Sequence, residues 1–106
     1  MESKKVSDHT SFSEEKMQKN ALFDSERLFY DVYCLMPGQS QKVHSHEDSD
    51  KIYYVIEGTG SFTVGEEERA LGPGTAVMAP AGDPHGVRNA TEENLVLLVT
   101  MVPRPT

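Results

Sequence analysis

His44 and His46 stand one residue apart, and a third histidine, His85, follows in the segment Gly74-Thr-Ala-Val-Met-Ala-Pro80-Ala-Gly82-Asp-Pro-His85-Gly-Val-Arg-Asn89. Imidazole is the commonest metal-ligating side chain. Side chains on a strand alternate with period two, so a His-x-His pair points both rings to one face. That supplies two adjacent corners of a coordination sphere, and His85 supplies a third from a distant strand. Three neutral imidazoles leave several positions of a divalent ion open, as catalytic rather than structural sites do. They also leave the ion its full positive charge, which favours an anionic substrate or a more acidic bound water. Iron, manganese, nickel, copper and zinc all accept such ligands, and the spacing does not choose among them. The bland alternative for His44 and His46 alone is a pair of exposed strand polars. His85, in a second patterned segment, tips the balance towards one shared site. The fourth histidine, His9, has no supporting neighbours and reads as a solvated side chain.

Strands must position these rings. Leu28, Tyr30, Val32, Cys34 and Met36 share one face of a strand, while Phe29, Asp31, Tyr33 and Leu35 share the other. Bulk on both faces predicts a strand between two packed layers. Pro37-Gly38 ends it. Further strands are predicted around Val43–His46 and over Lys51–Glu57, Ser61–Val64, Glu67–Leu71, Thr75–Ala79, His85–Asn89 and Asn94–Val102. Turn signals recur about every eight to twelve residues with no convincing helix, the pattern of an all-β sandwich or barrel. Residues 1–20 are hydrophilic, with too little apolar content to bury much, and read as a loosely structured polar arm. The remainder, 21–106, reads as one domain.

Composition narrows the function classes. With 106 residues there is room for one core. A net charge of -7 offers no basic stripe for phosphates, so neither nucleic acid nor an anionic membrane surface is an expected partner. The single cysteine, Cys34, forms no internal disulfide and reads as a small buried hydrophobe, with a place in the pocket wall as the alternative. No apolar run reaches the roughly 20 residues that span a bilayer, and no hydrophobic signal core is seen, so a cytoplasmic location is expected. Glu66-Glu67-Glu68 and Glu92-Glu93 read as solvated turn charges.

Taken together, the motifs resemble those of the cupin superfamily, the small jelly-roll barrels with a double-stranded β-helix fold. Gly38, His44, His46 and Gly58 stand in the register of the first cupin motif. Gly74, Pro80, Gly82, His85 and Asn89 match the second at each defined position, and residues 59–73 resemble the short linker of compact single-domain cupins. The resemblance covers roughly residues 27–102. It implies a metal held by His44, His46 and His85. Where the family carries a glutamate ligand, this chain has Lys51. A protonated lysine has no lone pair and repels a cation. Asp50, one residue earlier, would need a bulge to replace that glutamate. The third possibility is that Lys51 itself fills the place of the metal.

The resemblance implies a dioxygenase-, isomerase- or lyase-like enzyme, with a non-catalytic metabolite-binding cupin of sensor type as the alternative. Lys51, buried beside a cation, would lose basicity and suit proton transfer, which makes it the candidate catalytic residue. Tyr53, Val55, Phe62, Met78 and Val87 are wall candidates, with Tyr53, Phe62 and Met78 expected to touch a small-molecule ligand. Asn89 is expected to support a turn, and Arg88 to lie at the surface. Cupins of this size resemble homodimers, and the Leu95–Val99 run and the Leu28–Met36 strand are the expected interface.

Overall fold

The computed structural model describes residues 1–105. Nine strands, all paired antiparallel, form two sheets. They are β1 (Gln18–Asp24), β2 (Phe29–Leu35), β3 (Ser40–His44), β4 (Asp50–Glu57), β5 (Gly60–Val64), β6 (Glu67–Leu71), β7 (Ala76–Ala79), β8 (His85–Arg88) and β9 (Leu95–Val102). One sheet has the order β1-β2-β9-β4-β7 and the other β3-β8-β5-β6. This is the all-β jelly-roll that the turn spacing and the motifs predict.

Alternation explains which side chains fill the interior. Along β4, Lys51, Tyr53 and Val55 are buried while Asp50, Ile52, Tyr54 and Ile56 are exposed. Between the sheets, Tyr53 and Val55 join Tyr33, Leu35, Phe62, Val87, Leu95, Leu97 and Val99 in the main core. Each such burial is worth about 1.5–3 kcal/mol, the largest favourable term the barrel has. Bulk on both faces of β2 has the cause the sequence suggests. Its other face, with Val32 and Cys34, joins Leu22 and Val96 in a second cluster on the outside of the sheet.

Residues 1–24 hold more structure than their composition promises. A single 3-10 turn at Val6–His9 is the only regular element before β1, but Val6 and Phe12 pack against the outer cluster. Asn20 ties the segment down by donating to the His9 carbonyl (2.8 Å) and to Ser11 Oγ (3.1 Å). β1 then crosses residue 20 and pairs with β2. The chain's own arm therefore covers the apolar outer faces of β2 and β9, where a partner subunit is expected from sequence. Apart from Val102 at the end of β9, the exposed large apolar side chains of this sheet lie elsewhere, at Ile52, Tyr54 and Ile56 of β4 and Met78 of β7. Among the described residues no helix is long and apolar enough to cross a membrane.

Candidate metal centre

The three histidines converge because β3 carries one extra residue. Gln41 pairs with Val87 and His44 with His85, so three steps along β3 match two along β8. This bulge at Lys42-Val43 turns His44 to the interior although Gln41 already faces it. Gly86 makes the bulge possible. A Cβ there would stand 2.8 Å from the Gln41 carbonyl oxygen and 3.0 Å from the Val43 nitrogen, both rigid backbone atoms. Gly86→Ala is accordingly expected to cost about 1–3 kcal/mol in urea unfolding. It should also weaken metal uptake by displacing His44, and unchanged uptake would disconnect the bulge from the site.

His46 lies just beyond β3, and the loop that presents His85 is fastened to it. Gly82, whose φ of +89° only glycine adopts readily, donates its N–H to the His46 carbonyl at 2.8 Å. The ring centroids lie 4.9 Å apart for His44 and His46, 4.6 Å for His44 and His85, and 5.6 Å for His46 and His85. One nitrogen from each ring falls within 4.8 Å of the others. Nitrogens bound to one ion at about 2.1 Å stand at most about 4.2 Å apart. The half-exposed His44 and His46 rings have room to close that difference.

Hydrogen bonds to the main chain fix the tautomers. His44 Nδ1 lies 2.7 Å from the Lys42 carbonyl oxygen, and His85 Nδ1 lies 3.0 Å from that of Asp83. Each carbonyl takes the Nδ1 proton and leaves Nε2 with its lone pair, the arrangement usual for ligating histidines. His85 Nε2 is fully buried and has no hydrogen-bond partner. An orphaned acceptor of this kind costs about 1–3 kcal/mol unless something binds it. Burial pushes both His46 and His85 below the ordinary histidine range. The Lys51 ammonium and the neighbouring histidines add to this, and for His85 the bond to Asp83 opposes it. Both rings are thus neutral at neutral pH, as ligands must be. The donor set fits a divalent transition metal.

Lys51 occupies the interior and is 1% exposed. Its Nζ donates to Gln41 Oε1 at 2.9 Å and lies over the rings of Tyr33 (5.2 Å) and Tyr53 (5.1 Å). Burial, with Lys19 adding repulsion and Asp31 opposing it, lowers its pKa from 10.5 to about 7. Burial pushes the pKa of the neighbouring Tyr33 up to about 12, with Gln41 opposing the shift. Asp50 does not take the missing glutamate's place. β4 is regular at this point, so Asp50 faces away from Lys51, and its carboxylate accepts the Ala81 N–H at 2.8 Å.

Tyr53 stands beside His85, and Phe62 lies behind it. Tyr53 packs edge-on to Phe62 (5.2 Å between centroids) and lies 6.5 Å from His85. Its buried hydroxyl has no partner, and burial pushes its pKa upward. Val55 and Val87 are in the same core. Met78 is not on the inner face of its strand, although it helps to line the cavity between β6 and β7. Register sets it opposite Ile52 on the outer face, 53% exposed, while Val77 opposite Tyr53 takes the inward position. Cys34 belongs to the outer cluster and Arg88 is exposed. Asn89, fully buried, donates to the carbonyls of Leu35 and Glu93 and accepts from Thr91, which is a turn-holding role. Gln41 and Tyr33 are the site neighbours that sequence reasoning misses. Gln41 and His44 have opposite parity along the chain, and only the bulge puts both inside.

Between the edge strands β6 and β7 lies a cavity of about 200 Å3 lined by Phe62, Val64, Leu71, Ala76, Val77, Met78 and the Glu67–Arg69 ion pair. Val64 is the ladder partner of His85, so this cavity begins one residue from the centre.

Known proteins share this architecture. A family model described as "Cupin domain" matches residues 31–101. An oxalate-binding protein of Thermotoga maritima is 28% identical over 86 residues, 81% of this chain and 70% of its own length. The crystal structure of TT1209 from Thermus thermophilus aligns with a TM-score of 0.96 and 53% identity, covering 99% of this chain and 100% of that one. An RmlC-like cupin from Desulfovibrio desulfuricans aligns with a TM-score of 0.84 and 28% identity over 98% of each chain. The family match spans every strand from β3 to β8, including the bulge and all three site histidines, and on that ground the chain belongs to the cupin family.

Proposed function

We propose that this cupin binds a divalent transition metal (iron, manganese, nickel, copper or zinc) through His44, His46 and His85 and acts there on a small molecule. The buried, partnerless Nε2 of His85, held in its tautomer by the Asp83 carbonyl, carries this reading. When bound, the metal supplies Lewis-acid polarisation of a substrate oxygen at open coordination positions. The chain's own residues do the rest. Phe62 and Val77 wall the adjacent cavity, whose roughly 200 Å3 falls below the range of about 300–1,000 Å3 for drug-sized ligands and selects a small metabolite. Tyr53 offers a hydroxyl to orient it. Lys51, with a pKa near neutrality, is the group that takes or gives a proton. A dioxygenase-, isomerase- or lyase-like reaction fits these parts.

A sensor-type binding cupin is the second reading, favoured by the oxalate-binding relative. Metal analysis of untagged protein, followed by oxygen-uptake, isomerase and lyase screens of the loaded form, separates the two. Turnover lost in Lys51→Ala supports the enzyme with Lys51 as its proton carrier. Turnover unchanged in that variant removes Lys51 from the role. Stoichiometric ligand uptake without turnover supports the sensor.

Homodimerisation belongs to the same reading and, with the arm covering β2 and β9, falls to the outer face of β4 and β7. There Ile52 and Met78 lie side by side, flanked by Tyr54 and Ile56, and a two-fold axis makes such a face its own partner. Light scattering should show a dimer that Ile52→Lys with Met78→Lys converts to monomers; an unaltered dimer would place the contact elsewhere. Cys34, buried and unpaired, makes no demand for an oxidising compartment, which agrees with a cytoplasmic home.

A further inference from the structure

The two sheets also part on the side opposite the β6–β7 cavity, between edge strands β1 and β3. A cleft of about 590 Å3 opens there, lined by Lys16, Met17, Gln18, Lys19, Ser40, Gln41 and Lys42. Half of the chain's six lysines are in this lining, although the net charge is -7, and no carboxylate joins them. Among the described residues the ion pairs are Arg69 with Glu67 and Arg104 with Asp24, so none of the cleft lysines has an acidic partner within 4 Å. Asp31 lies near enough to influence Lys51 but not to pair with it or with Lys19.

The cleft is open to water, with its lysines and Ser40 exposed and Met17, Gln18 and Gln41 half-buried, and through Gln41 it reaches the interior. Gln41, on its floor, holds the ammonium of buried Lys51. Lys19 lies over the ring of Tyr33 at 5.7 Å, and Lys51 lies over the same ring at 5.2 Å. The Lys42 carbonyl is the group that fixes His44. Cleft and histidine centre thus share the segment Ser40–His44. Like charges gathered without counter-ions repel one another, and an oxyanion is the ligand that relieves them.

We propose that the β1–β3 cleft is an oxyanion subsite, in which Lys19 and Lys42 hold a carboxylate or phosphate group carried by the ligand on the end remote from the histidines. The ligand is then a small molecule with two acidic or metal-binding ends. This inference rests on the reading of the histidines as a metal centre only for the position of the other end.

Calorimetric titrations of metal-loaded and chelator-treated protein with inorganic phosphate, malonate, succinate and glutarate test it. At least one of these anions should bind both forms, and affinity should fall as salt is raised. Lys19→Gln with Lys42→Gln should weaken that binding at least tenfold without lowering metal uptake or the ligand-free melting temperature. Tighter binding of one dicarboxylate chain length to the loaded form would locate both ends; a preference for phosphate would identify the group as a phosphate. Binding that survives the double substitution, or that disappears with chelation alone, overturns the subsite, as does absence of binding by all four anions. Metal uptake is measured in the same samples, so failure of the metal reading shows as lost uptake in the parent protein.

Discussion

Replacing His85 by alanine is expected to abolish metal-dependent stabilisation. In the parent protein, a metal present at 100 times its dissociation constant adds about 2.7 kcal/mol to the folded state. For a domain of this length that raises the melting temperature by about 10 °C or more. His85 is the one ligand of the three that is fully buried, and its free nitrogen has no alternative partner. His44 and His46, half exposed, cannot hold the ion in a fixed geometry without it. In chelator, His85→Ala should melt within a few degrees of the parent, because losing an unpartnered polar atom offsets the cavity left behind. The measurement is a pair of thermal scans, with and without metal, on both proteins. A full metal-induced shift in His85→Ala would sink the three-histidine site.

Lys51→Met should stabilise the metal-free protein, and by an amount that depends on pH. The unfolded lysine keeps its proton up to about pH 10.5, whereas the native one gives it up near pH 7. Between those values unfolding takes up a proton, so the parent gains stability as pH rises from 7 towards 10. Below pH 7 both states are protonated and the full cost of a buried ammonium is present. Each pKa unit of the gap is worth about 1.4 kcal/mol, and methionine forfeits the bond to Gln41 and the contacts with Tyr33 and Tyr53. A net gain on the order of 2–4 kcal/mol at pH 6, shrinking towards zero by pH 10, is the result. Urea midpoints in chelator at pH 6 and pH 9 give the comparison. An advantage equal at both values would mean that buried Lys51 keeps its proton through pH 9, its charge compensated by its surroundings. Metal uptake should survive the substitution and tighten, since a repelling cation has gone.

Much of this is open to inspection in the chain because alternation is strict where one face meets the core. Lys51, Tyr53 and Val55 against Ile52, Tyr54 and Ile56 leave no doubt about the pleat of β4. The histidine spacing picks out the three rings whose nitrogens the structure gathers within 4.8 Å, although it is the bulge in β3, absent from any sequence pattern, that turns His44 inward. β1 escapes notice because only Ala21-Leu22-Phe23 interrupt its polar residues, and a shift of register between Ala21 and Phe23 breaks even that pattern. Val77 rather than Met78 takes the inward position, because both are apolar and a one-residue change of parity is invisible where neither neighbour is charged. Gln41, Tyr33 and Lys19 enter the site neighbourhood through pairings between distant strands. Their sequence neighbours contain no trace of it.

The bulge at Lys42-Val43 leaves a valine 55% exposed to water while a histidine enters the interior. An unbroken ladder would do the opposite, burying Val43 for about 1.5–3 kcal/mol and turning His44 outward. Side-chain hydrophobicity and the observed register are therefore in local conflict on this strand. Such frustration is tolerated where function requires it. On the proposed metal reading, a cation that holds His44 would do more than serve chemistry: it would select between two registers of the same strand, and its removal would bring the protein closer to the alternative.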